Sequence, residues 1–172
     1  MPQLAEPEYE QMFGIDSYLS ATAKLYRGIK FRKGIILYMA ENTFIGDNCV
    51  ILVPKLKMEK GSQICAGTVL AGKDEVILEE NAVIGYNSVI LSSSDTPSWR
   101  MNDASPLTTR KIRTGPIKLG KNSFVGSLCL IMPSVVIGEN SICGAKSYID
   151  KNLPPNIILI PQQKFLYSKR PM

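Results

Sequence analysis

Residues 119–150 read LGKNSFVGSLCLIMPSVVIGENSICGAKSYID, and this stretch decides the fold. An apolar residue recurs at every sixth position, at Leu119, Val125, Ile131, Ile137, Cys143 and Ile149. A glycine directly follows four of these residues, and a small residue stands four positions after five of them. A period of six does not match the spacing of three or four residues that an amphipathic helix requires. The pattern therefore predicts a short strand and a turn in each six-residue unit.

Three such units close one coil, and parallel stacking of the coils gives a β-solenoid whose core is a ladder of aliphatic side chains. The same unit occurs earlier in the chain, for example at Ile45, Ile64 and Ile84. Counting the units from Met39 to about Leu153 predicts about five coils. We therefore expect an all-β protein with a parallel β-helix at residues 39–154, in a single domain over residues 1–172.

Three segments lie outside the repeat. Residues 1–38 are expected to cap the first coil, and Asp16 to Gly28 reads as a short helix. Residues 96–116 form a long polar loop that holds the only tryptophan and several cations, and such a loop in a regular array is often functional. Residues 155–172 are expected to leave the solenoid through Pro154 and Pro155 as a basic C-terminal tail.

The composition excludes several kinds of site. The chain has no histidine, which removes histidine as a general base or a metal ligand, and we expect no metal. Its four cysteines form no CxxC pair, so they are expected to be small buried side chains. The net charge of +5 favours anionic partners, and a phosphate-bearing small molecule satisfies this as well as a nucleic acid does. We expect no nucleic acid partner, because the sequence offers no recognition helix or aromatic platform.

The N-terminus gives no sign of membrane insertion or export. No apolar run approaches the roughly 18 residues of a spanning helix. The opening MPQLAEPEYEQ carries three glutamates where a signal peptide would have a basic segment and an apolar run. We therefore expect a cytoplasmic protein.

The segment GPIKLGKNSFVGSLCLIMPSVVIGENSICGAKSYIDKNLPPN, with its Pro-Pro exit, resembles the hexapeptide-repeat acyltransferases. The similarity is to the sugar O- and N-acetyltransferases related to galactoside and serine acetyltransferases, and it extends over about residues 36–166. The resemblance implies a left-handed parallel β-helix, which departs from the general right-handed rule for parallel crossovers. It also implies a homotrimer with active sites between adjacent subunits.

The resemblance further implies a cofactor and residues that contact it. Acetyl-CoA would lie along the cleft beside the C-terminal coils. By matched position, Ser127 and Ala145 would line the path of its pantetheine arm, and Lys151 would lie near its adenine end. Lys164 is a looser match to a phosphate contact, because the sequence around it is shifted from the family pattern. The resemblance also implies a sugar acceptor in surface-polysaccharide or nucleotide-sugar metabolism.

Catalysis is where this sequence departs from the family. Most O-acetyltransferases of this type place a histidine just after the third coil, where residues 90–97 here read ILSSSDTP. One hypothesis makes Asp95 the base, with Ser93 or Ser94 orienting the acceptor. A carboxylate is a weak base for a hydroxyl unless burial strengthens it, so Asp95 would need a place in the subunit cleft.

A second hypothesis takes an amino sugar as the acceptor. A neutral amine attacks a thioester without a strong base, so positioning could supply most of the acceleration. Arg100 and Arg113 would then bind an anionic group such as the diphosphate of a nucleotide sugar, and Trp99 would contact the substrate. A third hypothesis is a non-catalytic binding or assembly module that kept the scaffold and lost the base.

Overall fold

The six-residue units form strands of two to four residues that stack into three parallel sheets. This computed structural model describes residues 13–95 and 111–161. The first sheet contains β1 (Tyr18–Leu19), β4 (Ile36–Met39), β7 (Lys55–Met58), β10 (Val76–Leu78), β15 (Ile117–Leu119) and β18 (Val136–Ile137). The second contains β2 (Lys24–Leu25), β5 (Phe44–Ile45), β8 (Gln63–Ile64), β11 (Val83–Ile84), β16 (Phe124–Val125), β19 (Ile142–Cys143) and β21 (Ile158–Leu159). The third contains β3 (Lys30–Phe31), β6 (Val50–Leu52), β9 (Val69–Ala71), β12 (Val89–Leu91), β17 (Leu130–Ile131) and β20 (Tyr148–Ile149).

Each coil takes one strand from each sheet, so the chain turns three corners per coil. The first corner joins the first sheet to the second, and the second corner joins the second sheet to the third. The third corner leads to the next coil. Coils 1 to 3 are β1–β3, β4–β6 and β7–β9, and coils 4 to 6 are β10–β12, β15–β17 and β18–β20.

The core is the ladder of inward side chains that the period of six predicts. In the first sheet Met58, Leu78, Leu119 and Ile137 are stacked in register and fully buried. Burial of an aliphatic side chain of this size stabilises a fold by about 1.5–3 kcal/mol. The predicted all-β parallel β-helix is confirmed, with about six coils rather than about five.

The predicted N-terminal helix is wrong, because Asp16 to Gly28 forms β1, β2 and the turns around them. Leu19, Leu25 and Phe31 lie six residues apart and pair with Met39, Ile45 and Ile51 of the next coil. Helix propensity is a weak preference that such tertiary packing overrides. The first coil is therefore part of the solenoid, and the coils begin before the boundary that we predicted at residue 39.

The C-terminal boundary also differs from the prediction. Leu153 bridges to Ile137, and β21 extends the second sheet beside β19, so the chain still follows the coil after Pro154 and Pro155. None of the described residues belongs to a helix long and apolar enough to cross a membrane.

Asparagine side chains line the first corner. Asn81, Asn122, Asn140 and Asn156 all adopt a positive φ there. The side-chain amide of each of the first three donates a hydrogen bond to the side-chain oxygen of the next, over 3.2, 3.1 and 3.1 Å. Asparagine tolerates this left-handed backbone better than most residues do. The asparagine ladder therefore allows the left-handed backbone of the turn and joins neighbouring coils by side-chain hydrogen bonds.

Candidate functional site

The long loop leaves the solenoid at the third corner of coil 4 through a two-stranded ribbon. Its strands are β13 (Ser93–Asp95) and β14 (Ile112–Thr114), which pair antiparallel. Ser94 lies opposite Arg113, and Asp95 lies opposite Ile112. Successive side chains of a strand point to opposite faces. Ser93 and Asp95 therefore share one face of the ribbon, whereas Ser94 lies on the other face beside Arg113.

Hydrogen bonds close the base of the ribbon. The Gly115 amide donates to the Ser92 carbonyl over 3.0 Å, and the Thr114 hydroxyl donates to the same oxygen over 3.2 Å. The buried Ser92 hydroxyl donates to the Asp74 carbonyl over 2.8 Å. The chain thus enters and leaves the loop at one point, and the solenoid continues across it.

The ribbon leans along the third corner towards the last coil. The Ser134 hydroxyl of coil 5 donates to the Thr114 carbonyl over 3.3 Å. The Arg113 guanidinium donates to the Asp150 carbonyl of coil 6 over 3.2 Å, next to Lys151. Arg113, predicted to bind substrate, thus holds the ribbon against the last coil with one of its five N–H donors.

The second corner holds a different set of residues, stacked in one continuous line. Backbone amides donate to the carbonyls of Arg27, Asp47, Ala66, Tyr86 and Ser127, each from the coil that follows, over 2.8–3.1 Å. Ala145 lies at the end of this line. The Gly126 position allows the close stacking, because a Cβ there would stand 2.6 Å from the Ala145 nitrogen.

A groove of about 220 Å³ runs along the second corner of the first four coils. Its lining residues are Tyr26, Phe44, Gly46, Asp47, Cys65, Ala66 and Tyr86. The rings of Tyr26 and Phe44 meet edge to face at 5.8 Å, and Tyr86 is 57% exposed. Coil 3 contributes only small side chains, which leaves a notch between the aromatic rings of its neighbours.

The groove offers an apolar surface with one carboxylate at its edge. Asp47 accepts a hydrogen bond from the Arg27 amide over 2.9 Å. Burial raises the pKa of the Cys65 thiol, so it stays protonated at neutral pH and is a poor nucleophile. The groove can therefore bind a ring by stacking and hydrogen bonding, and it offers no thiolate for covalent catalysis.

The predicted site residues fall at two different corners. Ser127 and Ala145 lie together at the second corner, directly below the groove. The third corner holds the other described ones: Ser93, Ser94, Asp95, Arg113 and Lys151. Trp99, Arg100 and Lys164 lie outside the described residues. No group of three or more metal-binding side chains comes together in residues 13–95 and 111–161.

Comparisons with known proteins agree with the six-residue repeat and with the fold. The repeat family described as hexapeptide repeat of succinyl-transferase matches residues 116–151. These residues form coils 5 and 6 of the described parallel solenoid. The chain is 46% identical over 43 residues to galactoside O-acetyltransferase of Escherichia coli strain K12, which is 25% of this chain and 21% of that enzyme. It is 26% identical over 117 residues to galactoside O-acetyltransferase of Lactococcus lactis, which is 66% of this chain and 56% of that enzyme.

The chain thus spans between about a fifth and just over half the length of these curated relatives. A solved structure matches almost throughout. AntD is an N-acyltransferase from Bacillus cereus, solved as a serine variant with dTDP-4-amino-4,6-dideoxyglucose and coenzyme A. It is 27% identical, has a TM-score of 0.64, and the match covers 98% of this chain and 91% of AntD. The resemblance to hexapeptide-repeat acyltransferases is confirmed, and the fold is consistent with their left-handed β-helix.

Proposed function

We propose that this chain transfers an acyl group, with acetyl as the first candidate, from acyl-CoA to a sugar or amino sugar. The observation that carries this proposal is the match over nearly the whole of both chains to AntD, whose complex holds coenzyme A and a nucleotide-linked amino sugar. The wider pathway, surface-polysaccharide or nucleotide-sugar metabolism, and the cytoplasmic location remain predictions.

Different coils of the second corner suit the binding of the acceptor and of the cofactor. The aromatic groove of coils 1–4 suits the ring of a sugar or of a base, because aromatic faces stack on flat apolar surfaces while Asp47 can accept hydrogen bonds. Ser127 and Ala145 continue the same line in coils 5 and 6 with small side chains, which lets an extended acyl-CoA arm approach the backbone. The acyl group would then meet the acceptor near Tyr86.

The split between two corners favours an active site formed by two protomers. Asp95 lies at the third corner, whereas the groove lies at the second corner of the same three-sided coil. A second copy of the chain could bring its ribbon against the groove of the first. A homotrimer, in which each protomer supplies one corner to each neighbour, would repeat this site three times.

The absence of histidine favours an amine acceptor. The acceptor nitrogen would bond to the thioester carbonyl carbon, and the carbon–sulfur bond would break to release coenzyme A. Overall, one proton passes from the nitrogen to the sulfur. Asp95 would carry that proton away from the nitrogen, with Ser93 on the same face of the ribbon.

The deciding experiment is a calorimetric titration of the purified protein with acetyl-CoA and with CoA, at low and at moderate salt. Specific binding saturates at one site per chain and persists at moderate salt, whereas nonspecific attraction to a chain of charge +5 is screened. Saturable binding supports the enzyme and leads to a screen of amino sugars before hydroxyl acceptors. Absence of binding at both salt concentrations contradicts the proposal and favours a non-catalytic module.

Two variants then separate acceptor binding from chemistry. We expect Tyr86→Ala to raise the acceptor KM about tenfold through loss of ring stacking, whereas Tyr148→Ala, at a 60% exposed tyrosine of the third sheet, leaves it unchanged. We expect Asp95→Asn to lower kcat about a hundredfold if it accepts the proton. Equal effects of the two tyrosine variants on the acceptor KM would show that the acceptor does not bind in the groove.

A further inference from the structure

The first coil concentrates positive charge at one end of the solenoid. Residues 13–35 contain five cationic side chains and one carboxylate, that of Asp16. The next coil, residues 36–54, contains Glu41 and Asp47 and no lysine or arginine. The five cations of the first coil are all exposed, and we call them the basic ring: Lys24, Arg27, Lys30, Arg32 and Lys33. The positive charge is therefore a local property of the terminal coil.

The described residues do not neutralise the basic ring. In the middle coils cations pair with carboxylates, as Lys55 does with Glu75 over 3.1 Å and Lys118 with Glu79 over 2.7 Å. Within residues 13–95 and 111–161, no ion pair involves a side chain of the basic ring. Five neighbouring charges of one sign repel each other and attract an anionic partner. The basic ring is thus available to an anion outside the chain.

The basic ring runs around the solenoid rather than along it. Lys24 lies on the second sheet, Arg27 at the second corner, Lys30 on the third sheet, and Arg32 and Lys33 at the third corner. One coil occupies about 4.8 Å of the solenoid axis, so these cations share one layer across that axis. A flat anionic surface facing the end of the solenoid can approach all five together. A linear polyanion or a small anion can reach only those on one side.

The same coil also exposes apolar and aromatic side chains. Ile15, in the turn before β1, is fully exposed, and Tyr18 and Tyr26 are 49% and 38% exposed. Aromatic and aliphatic side chains accompanied by lysine and arginine are typical of segments that lie in the headgroup region of a membrane. The composition of the first coil therefore fits a lipid surface better than it fits a polyanion in solution.

Protection of sheet edges does not account for the basic ring. Lysine on a terminal strand prevents pairing with another sheet, and Lys24 and Lys30 lie on terminal strands. Arg27, Arg32 and Lys33 lie at corners, outside the strands. The strands that end the three sheets at the opposite end, β18, β20 and β21, contain no charged residue. Charge is therefore not the means by which this solenoid protects both of its ends.

We propose that the basic ring binds the first coil to an anionic membrane surface. Each lysine or arginine near such a surface strengthens binding about fivefold, and salt screens the attraction. This binding requires neither acyl-CoA nor an acceptor, so the inference is independent of the proposed function. The aromatic groove begins at Tyr26 of the same coil, so a bound membrane would lie beside it.

The experiment is co-sedimentation of the full chain with vesicles of phosphatidylcholine, with or without about one third of phosphatidylserine. We expect binding to the anionic vesicles only, and its loss at high salt. Lys30→Gln combined with Lys33→Gln should weaken that binding about 30-fold, since each cation contributes about fivefold. Both side chains are exposed, and circular dichroism would verify that the variant keeps its fold.

The matched control is Lys146→Gln combined with Lys151→Gln, which removes the same charge from exposed positions at the other end of the solenoid. These lysines lie about five layers, or about 24 Å, from the basic ring, which exceeds the screening length. The control variant should therefore keep the vesicle affinity of the wild type. Equal losses in the two variants would show a general effect of net charge and overturn the proposal.

Other occupants of the basic ring give different results. Wild-type protein that does not bind anionic vesicles, or binds neutral ones equally well, contradicts the proposal. Tighter binding to duplex DNA than to anionic vesicles at the same salt concentration would assign the ring to nucleic acid and overturn it. Binding that appears only after Glu6, Glu8 and Glu10 are all changed to glutamine would assign the ring to the acidic start of this chain, and would also overturn it.

Discussion

Two buried hydroxyls at the first corner lack hydrogen-bond partners. Ser62 and Ser123 are buried, and no acceptor reaches either hydroxyl oxygen within the described part of the chain. An unsatisfied buried hydroxyl costs about 1–3 kcal/mol. We therefore expect Ser123→Ala to raise the free energy of unfolding by about 1 kcal/mol, as measured by urea denaturation, and Ser62→Ala to do the same.

Ser141 provides the matched control, since it occupies the corresponding position one coil further along. Its hydroxyl donates to the Pro154 carbonyl over 2.7 Å and accepts from the Ile157 amide. Ser141→Ala should therefore lower the free energy of unfolding by about 1 kcal/mol. A loss of stability in Ser123→Ala as well would show that its hydroxyl does have a partner.

Burial of Cys143 should make the free energy of unfolding fall at alkaline pH. Burial, with a smaller contribution from Cys129, raises the pKa of the Cys143 thiol from 9.0 to about 12. Above pH 9 the unfolded thiol ionises while the folded thiol does not, so the stabilising contribution is full below pH 9 and is lost as pH rises towards 12. We expect Cys143 to add a decline of about 1.4 kcal/mol per pH unit in that window.

The measurement is urea unfolding under reducing conditions at several pH values between 8 and 11. Cys143→Ala should flatten the decline, because lysine and tyrosine ionisation affects both proteins alike. Parallel curves for wild type and variant would rule out Cys143 as the source.

At the scale of the element, the asparagine ladder of the first corner combines two stabilising effects that substitutions can separate. Asn122 accepts from Asn81, donates to Asn140 and has φ of 54°. Asn122→Gly removes the side-chain bonds and keeps the backbone relaxed, so we expect a loss of about 0.5–1 kcal/mol. Asn122→Ala keeps a Cβ at positive φ without the polar side chain that offsets this conformation in asparagine, so we expect it to lose about 1 kcal/mol more than the glycine variant. Thermal denaturation should rank wild type, glycine and alanine in that order, and equal melting temperatures for the two variants would contradict the backbone contribution.

The solenoid coils could be predicted from sequence because inward side chains obey a period. Leu119, Val125 and Ile131 occupy buried positions at the predicted spacing. Leu19 and Leu25 keep the same spacing, which indicates a further coil. The polar residues around them are also typical of a capped helix, so the sequence alone is ambiguous there. The strand pairing of a whole coil, rather than local propensity, decides that segment.

The groove could not be predicted in the same way. Tyr26, Phe44 and Tyr86 come from three different coils and point outwards, where no packing requirement imposes a spacing. Ser127 and Ala145 were found only through a resemblance, and the structure adds that they lie on the same line as the groove. Leu128 has a φ of 61° at a corner position where coils 1 to 4 hold glycine or asparagine, and the sequence shows this only as that replacement.

At the scale of the whole molecule, the second sheet exposes an apolar stripe. Val83, Phe124, Ile142 and Ile158 are paired in register, and the last three are 44%, 41% and 65% exposed. An exposed apolar stripe is typical of a protein–protein contact, and we predict one here. We expect the wild-type protein to have three times the chain mass of 19.0 kDa in light scattering, and Phe124→Asp combined with Ile142→Lys to have one.

Ile15→Lys is the control for that experiment, because Ile15 is fully exposed away from the stripe. It should leave the mass unchanged. The dissociated double variant should also lose acyl transfer if the site needs two protomers, and full activity of a monomer would contradict the site between subunits.

The long loop leaves the solenoid at Ser92 and returns to it at Gly115, so the loop and the coils can change independently of each other. These residues are hydrogen bonded to each other, and β12 pairs directly with β17, so the coils before and after the loop are in contact with each other. We expect changes in the length of this loop to leave the coils in place, because β12 and β17 pair directly. We therefore expect substitutions in this segment to change the proposed acceptor specificity while the coils and the proposed cofactor residues Ser127 and Ala145 keep their places.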